Sequence, residues 1–179
     1  KFVRGHLLIP ALHDAYNPTV LHIRRDPRSV AASFKRLSWK WHESLSLKRQ
    51  LLAPKDGRYE YFRKWESLIK QYEHATPELR VAAYWALLER FVEDLSESSG
   101  RVTISYEDLC LNPEKVLLEK LKNEEDKSIS KYFEVSSRTT QNGRTEASTE
   151  ERTQGWKETL SSTTSREIER IAKQVNLEN

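Results

Sequence analysis

Residues 24–28 bring three arginines together directly after an apolar run. That run, residues 19–23, has the length and composition of a buried strand. Asp26 suits the N-cap of a helix, and Pro27 suits its first position, where the missing N–H has no cost. A guanidinium presents a planar fork of donors that matches phosphate or sulfate, and the start of a helix adds partial positive charge. The sequence therefore predicts an anion-binding corner between a strand and a helix.

This corner resembles the 3′-phosphate-binding motif of the sulfotransferases that use 3′-phosphoadenosine 5′-phosphosulfate (PAPS). In that family an arginine ends a strand, an Asx-Pro or similar pair follows, and a serine stands eight positions after the arginine. Arg25 and Ser33 have that spacing. The resemblance implies that these two side chains hold the 3′-phosphate of the nucleotide. The residues alone leave a second interpretation open, a basic helix start whose arginines are solvated.

A second motif lies at the end of another predicted strand, where residues 105–109 are Ser-Tyr-Glu-Asp-Leu and Asn-Pro follows at 112 and 113. It resembles the second signature of the same family, a Tyr-Glu-Asp-Leu stretch with Asn-Pro at the start of the next helix. The resemblance implies that Tyr106 contacts the adenine end of the nucleotide. The residues also allow a tyrosine packed at a sheet edge. For Glu107 and Asp108 we expect a structural role at a helix start.

His6 is the candidate for the catalytic base. It lies in Val-Arg-Gly-His-Leu at residues 3–7, which resembles the Thr-His-Leu segment that supplies the base in cytosolic sulfotransferases, with glycine in place of threonine. Histidine is the side chain type whose ordinary pKa suits proton removal near neutral pH. Other branches of the family use a glutamate from a different place, which would leave His6 structural. His13 and His22, on a predicted helix and strand, are poorer candidates.

A basic residue near the C-terminus completes the predicted phosphate site. Residues 152–157, Arg-Thr-Gln-Gly-Trp-Lys, resemble the late segment of the family in which basic residues of a loop close over the 3′-phosphate. We assign this role to Arg152. Arg138 and Arg144 have the same chemistry, and for each of the three arginines the alternative is a solvated polar loop.

The resemblance implies sulfuryl transfer from PAPS to a hydroxyl or amine of a small-molecule, carbohydrate or peptide acceptor. It implies no metal, and we find no metal-ligand spacing in the sequence. The family's first signature, a glycine-rich loop with a lysine that holds the 5′-phosphosulfate, does not occur in residues 1–179. We expect that loop upstream of Lys1, and we therefore expect this chain alone to be incomplete as an enzyme.

Two other functions remain open at this stage. A P-loop kinase-like phosphotransferase shares the layered fold, and its phosphate loop would also lie upstream. A non-catalytic sulfotransferase-like binding module would keep the fold without the reaction. A nucleic-acid binder is not favoured, because the net charge is only +3 and acids interrupt the basic residues, as in Glu-Glu-Asp-Lys at 124–127.

Composition favours a globular protein of a reducing compartment. The 179 residues are 37% hydrophobic and 32% charged, which is enough for a sizeable core. The single cysteine, Cys110, excludes an internal disulfide framework, and no Asn-X-Ser/Thr acceptor is present. No stretch has the length and apolarity of a membrane span. We expect a cytoplasmic location, with an upstream targeting or membrane segment left open.

Alternation of strands and helices predicts an α/β fold, a parallel sheet flanked by helices, and the resemblance implies a P-loop NTPase-like sulfotransferase fold that is helix-rich in this portion. We expect one domain over 1–179, incomplete at its N-terminus, with a long polar loop at 123–150. The predicted strands are residues 19–25 and 101–106. The main predicted helices are residues 7–16, 27–37, 78–95 and 165–175, with a further helix opening at Asn112-Pro113.

Overall fold

The computed structural model of this chain describes residues 5–37, 43–95, 101–121, 148–175 and 177. Over these ranges the chain is helix-rich α/β, with a two-stranded parallel sheet flanked by helices. It divides into two compact units. The first unit consists of Lys1–Ile9, Pro27–Leu95 and Trp156–Asn179, and the second of Pro10–Asp26 and Ser96–Gly155.

The elements alternate as the sequence predicts, although several helices are short. The strands are β1 (Val20–Arg24) and β2 (Arg101–Ser105). The α-helices are α1 (Ile9–Tyr16), α2 (Pro27–Leu37), α3 (Arg58–Phe62), α4 (Glu66–Tyr72), α5 (Pro77–Asp94), α6 (Tyr106–Leu111), α7 (Pro113–Leu121), α8 (Thr149–Gln154), α9 (Trp156–Thr159) and α10 (Ser162–Gln174). Short 3₁₀ turns at His6–Leu8 and Arg63–Trp65 and a π-helical turn at Lys48–Leu52 complete the set.

The core of the first unit forms around α5. Apolar residues at helical spacing, such as Val81, Leu88 and Val92, give this helix a buried face, as predicted for residues 78–95. Helices α2 and α10 pack against it. Helix α10 contributes Ile168 and Ile171, both fully buried, and each such side chain stabilises the fold by about 1.5–3 kcal/mol.

The start of α10 differs from the prediction. The helix begins at Ser162, three residues before the expected start at 165, and its cap is Ser161. The Oγ of Ser161 accepts a hydrogen bond from the backbone N–H of Thr164 at 3.1 Å. Serine at the N-cap satisfies an amide that the helix itself leaves without a partner, so the earlier serine fixes the boundary.

The sheet belongs to the second unit. Strands β1 and β2 pair in parallel, with Val20 opposite Arg101 and Arg24 opposite Ser105. Ile104 of β2 is buried with Leu109 and Leu117 in a small separate core. Helices α6 and α7 pack against β2 on this core.

The prediction that residues 19–23 form a buried strand is wrong in part. The strand is present, but the side chains of Leu21 and Ile23 are 43% and 46% exposed. Alternate residues of a strand point to opposite faces, so Leu21 and Ile23 share one face of β1, and that face is exposed. His22 on the other face is buried.

The end of the predicted polar loop also needs correction. Residues 123–147 lie outside the described residues, but Thr149 and Glu150 already belong to α8 rather than to a loop. A capping box explains this start: Ser148 Oγ accepts from the Glu151 N–H, and the Glu151 carboxylate accepts from the Ser148 N–H. Among the described residues, no helix combines the length and apolar character needed to traverse a bilayer.

Candidate anion-binding site

The ends of the two strands lie side by side in the second unit. The parallel register pairs Arg24 with Ser105, the last residues of β1 and β2. The next residue along each strand is Arg25 on one side and Tyr106 on the other. In open α/β sheets this carboxyl edge is where ligands bind, so the pairing places a guanidinium and a phenol where an anionic ligand would enter.

Arg25 is held by two contacts of different kinds. Its guanidinium carbon lies 4.5 Å from the centroid of the Tyr106 ring, in cation–π contact. Its Nη2 donates a hydrogen bond of 3.1 Å to the backbone carbonyl of Arg152. A cation–π contact of this kind stabilises by about 0.5–2 kcal/mol, depending on desolvation. The guanidinium is therefore fixed in one place rather than moving in solvent.

One donor of this guanidinium has no acceptor within the part of the chain that the structure describes. The Nε of Arg25 is buried and has no hydrogen-bond partner among the described residues. A buried donor without an acceptor costs about 1–3 kcal/mol. An anionic oxygen placed at this donor would remove that cost and add a charge-assisted hydrogen bond. The residues present therefore fit a bound phosphate.

Tyr106 is a neutral phenol set among positive charges. Burial raises the pKa of Tyr106 above its ordinary value, and the charges of Arg25 and Arg152 act in the opposite direction. A hydrogen bond with Cys110, one helical turn away and half-buried, also raises this pKa. The ring is thus a stable, uncharged surface on which a planar base can stack.

Arg152 approaches this corner from a distant part of the chain. It lies in the last turn of α8, which packs against α6. The last carbonyls of a helix have no partner within the helix, which is why the carbonyl of Arg152 is available to Arg25. The Arg152 side chain is half-buried and near enough to Tyr106 to influence its pKa.

Glu107 makes a second link between the strand ends. Its Oε1 accepts the backbone N–H of Asp26 at 3.1 Å, and its Oε2 lies 3.5 Å from the hydroxyl of Ser105. Ser105 in turn caps α6, because its Oγ accepts the N–H of Asp108 at 3.2 Å. The acids therefore do stand at a helix start, as the sequence indicates, and Glu107 also contacts the corner after β1.

Two predicted site residues lie in the first unit and not in this cluster. Ser33 is half-buried on α2. His6 begins a 3₁₀ turn, and its Nε2 lies 3.3 Å from Oε1 of Glu89 on α5. The side chains of His6 and Glu89 are 18% and 2% exposed.

Glu89 was not predicted as a site residue, although its position in the sequence indicates a buried carboxylate. Glu89 stands four residues after Trp85 and three before Val92, at the spacing of the buried face of α5. A carboxylate at such a position is rarely buried without a partner, so it predicts a buried polar contact.

Of the remaining candidates, His22 lies among the described residues. Arg138 and Arg144 lie outside the described residues. His22 is buried in β1, with its Nδ1 3.4 Å from the hydroxyl of Thr103 on β2, as fits a core histidine. Comparison of this chain with protein-family models, with curated proteins and with solved structures finds no match.

Proposed function

We propose that this chain is the nucleotide-holding part of a PAPS-dependent sulfotransferase with a P-loop NTPase-like fold. The observation that carries the proposal is the meeting of Arg25, Tyr106 and Arg152, which come from three separate segments of the sequence. The sequence motifs also predict a nucleotide contact for each of the three. The Arg25 guanidinium lies beside an uncharged aromatic ring, and its buried Nε has no partner among the described residues, an arrangement that suits a phosphorylated nucleoside.

Each residue has a defined role in this proposal. Arg25 and Arg152 hold the 3′-phosphate, and the role of Ser33 stays a prediction from the sequence motif. Tyr106 stacks on the adenine. His6 removes the proton from the acceptor hydroxyl or amine as the acceptor attacks.

PAPS, when bound, supplies an activated sulfuryl group, and 3′,5′-adenosine bisphosphate is the product. The chain's own contribution is chiefly positioning and charge stabilisation, as in phosphoryl transfer. Residues 1–179 contain no glycine-rich loop with a lysine for the 5′-phosphosulfate. Binding to this chain is therefore expected to depend on the 3′ end of the nucleotide.

The test is isothermal titration calorimetry of the chain with 3′,5′-adenosine bisphosphate, without metal, and separately with Mg-ATP. Preferential binding of the bisphosphate supports the proposal. Preference for Mg-ATP supports the kinase-like alternative instead. Bisphosphate binding without sulfuryl transfer, in a protein that also supplies the 5′-phosphosulfate loop, supports the non-catalytic module.

A further inference from the structure

Two consecutive residues after β1 contact two consecutive residues after β2. Arg25 lies over the ring of Tyr106 at 4.5 Å, and the N–H of Asp26 donates to the Glu107 carboxylate at 3.1 Å. Arg24 and Ser105 are the last paired residues of the two strands, and the next two residues of each strand keep the same register through these contacts. The main-chain pairing of the sheet is thus replaced, one step later, by contacts that involve side chains.

We propose that Glu107 is a positioning residue for Arg25. This inference rests on the anion-binding function proposed above. The bond from the Asp26 N–H fixes the backbone directly after Arg25, so the Arg25 side chain leaves the strand toward Tyr106. Glu107 touches neither a nucleotide nor a reacting atom in this role. It acts by holding the backbone from which the phosphate-binding guanidinium projects.

A backbone anchor at this point has a clear physical use. Arginine has many rotamers, and fixing such a side chain costs conformational entropy. The contacts with Tyr106 and Arg152 offset this cost only if the Cα of Arg25 stays in place. The second oxygen of Glu107, 3.5 Å from the Ser105 hydroxyl, orients the carboxylate toward Asp26.

The role needs an oxygen acceptor and not a negative charge. Glu107→Gln keeps an amide oxygen that accepts the Asp26 N–H, whereas Glu107→Ala removes the acceptor. A carboxylate also repels a phosphate, so the glutamine variant loses that repulsion. Asp108→Ala is the matched control, because Asp108 is an exposed acid of the same helical turn whose contact with Ser105 uses its backbone N–H.

The first measurement needs no nucleotide. Spectra are recorded on the full chain with ¹⁵N-labelled backbone and ¹³C-labelled tyrosine rings, with Arg25→Ala giving the Tyr106 ring resonances when the guanidinium is absent. We expect Glu107→Ala to shift the Asp26 amide and to move the Tyr106 ring signals toward their Arg25→Ala positions. Glu107→Gln and Asp108→Ala should keep the wild-type signals. Unchanged signals in Glu107→Ala, or equal shifts in Glu107→Gln, overturn the proposal.

The second measurement is the affinity for 3′,5′-adenosine bisphosphate in the same variants. The loss of one hydrogen bond that positions Arg25 should raise the Kd of Glu107→Ala by about 2- to 12-fold. Glu107→Gln should bind at least as tightly as the wild type. If the wild type binds the nucleotide and Glu107→Ala binds equally well, the positioning role is wrong. If the wild type does not bind, the proposed function fails, and the nucleotide-free spectra alone decide the role of Glu107.

Discussion

The guanidinium of Arg25 lies 4.5 Å above the ring of Tyr106, although the two residues are 81 positions apart in the chain. Parallel pairing of β1 with β2 brings them together, because Arg24 and Ser105 are opposite each other at the strand ends. The carbonyl of Arg152 holds the same guanidinium from a third segment. Three separate segments of the chain therefore meet at Arg25.

Removal of Arg25 should weaken nucleotide binding more than removal of Arg36, an arginine outside the proposed site. A charge-assisted hydrogen bond contributes about 1.5–3 kcal/mol, so Arg25→Ala should raise the Kd for 3′,5′-adenosine bisphosphate about 10- to 150-fold. Arg25→Lys should also bind weakly, because an ammonium lacks the planar fork. Titration calorimetry measures both variants. Arg36→Ala is the control, since it removes the same charge from an exposed position on α2, and an equal loss there would reduce the effect to net charge.

Tyr106 should act through its ring rather than through its hydroxyl. Tyr106→Phe keeps the surface for Arg25 and for a base, so its Kd should stay within about two-fold of the wild type. Tyr106→Leu removes the aromatic face, and stacking of one base is worth about 1–3 kcal/mol, so affinity should fall about 5- to 150-fold. The same titrations decide this. A large loss in the phenylalanine variant would instead assign the hydroxyl to the ligand.

His6 and Glu89 should stabilise the first unit together. Their Nε2 and Oε1 atoms are 3.3 Å apart, and the Glu89 side chain is almost fully buried. A double-mutant cycle with His6→Ala and Glu89→Gln should show a coupling of about 0.5–3 kcal/mol in the free energy of unfolding. The described tryptophans, Trp65, Trp85 and Trp156, lie in the first unit, so urea unfolding followed by tryptophan fluorescence reports on it. Additive effects of the two substitutions would contradict this contact.

Tyr72 should make the first unit sensitive to alkaline pH. Burial raises the pKa of Tyr72 to about 12, and its hydroxyl donates to Glu167 Oε1 at 2.7 Å. The folded pKa lies above the unfolded value, near 10, so this contribution is fully present below about pH 10 and is lost as pH rises toward 12. The wild type should therefore lose more stability than Tyr72→Phe between these pH values. Urea unfolding followed by tryptophan fluorescence at pH 9 and pH 11.5 measures the free energy of unfolding of both proteins. An equal loss of stability in the two proteins would contradict this role of Tyr72.

Local signals in the sequence were enough for most elements. Helix α2 begins and ends as predicted at Pro27 and Leu37, because proline at the first position fixes the start. Helix α6 was not predicted as a separate helix. It has only six residues, and its first turn is capped by Ser105, whose Oγ accepts the N–H of Asp108. Short helices of this kind depend on the packing around them more than on their own propensity.

The candidate site was predictable residue by residue but not as contacts. Arg25, Tyr106 and Arg152 could be named from motifs, and the cation–π contact depends on a strand register that the sequence does not reveal. The roles of Glu89 and Glu107 depend on partners 83 and 81 positions away, His6 and Asp26. Contacts at such separations come from tertiary packing, which local patterns do not contain.

The central claim is that Arg25 belongs to a site for a 3′-phosphorylated adenosine. Thermal unfolding of wild type and Arg25→Ala, each with 3′,5′-adenosine bisphosphate or with adenosine 5′-monophosphate, tests it most directly. At about 100 times its Kd the bisphosphate should add about 2.7 kcal/mol to the wild type, a rise of about 5–10 °C in Tm. We expect this rise in Tm for the bisphosphate alone, and we expect it to be lost in Arg25→Ala. Equal shifts with both nucleotides, or an undiminished shift in Arg25→Ala, would contradict the claim.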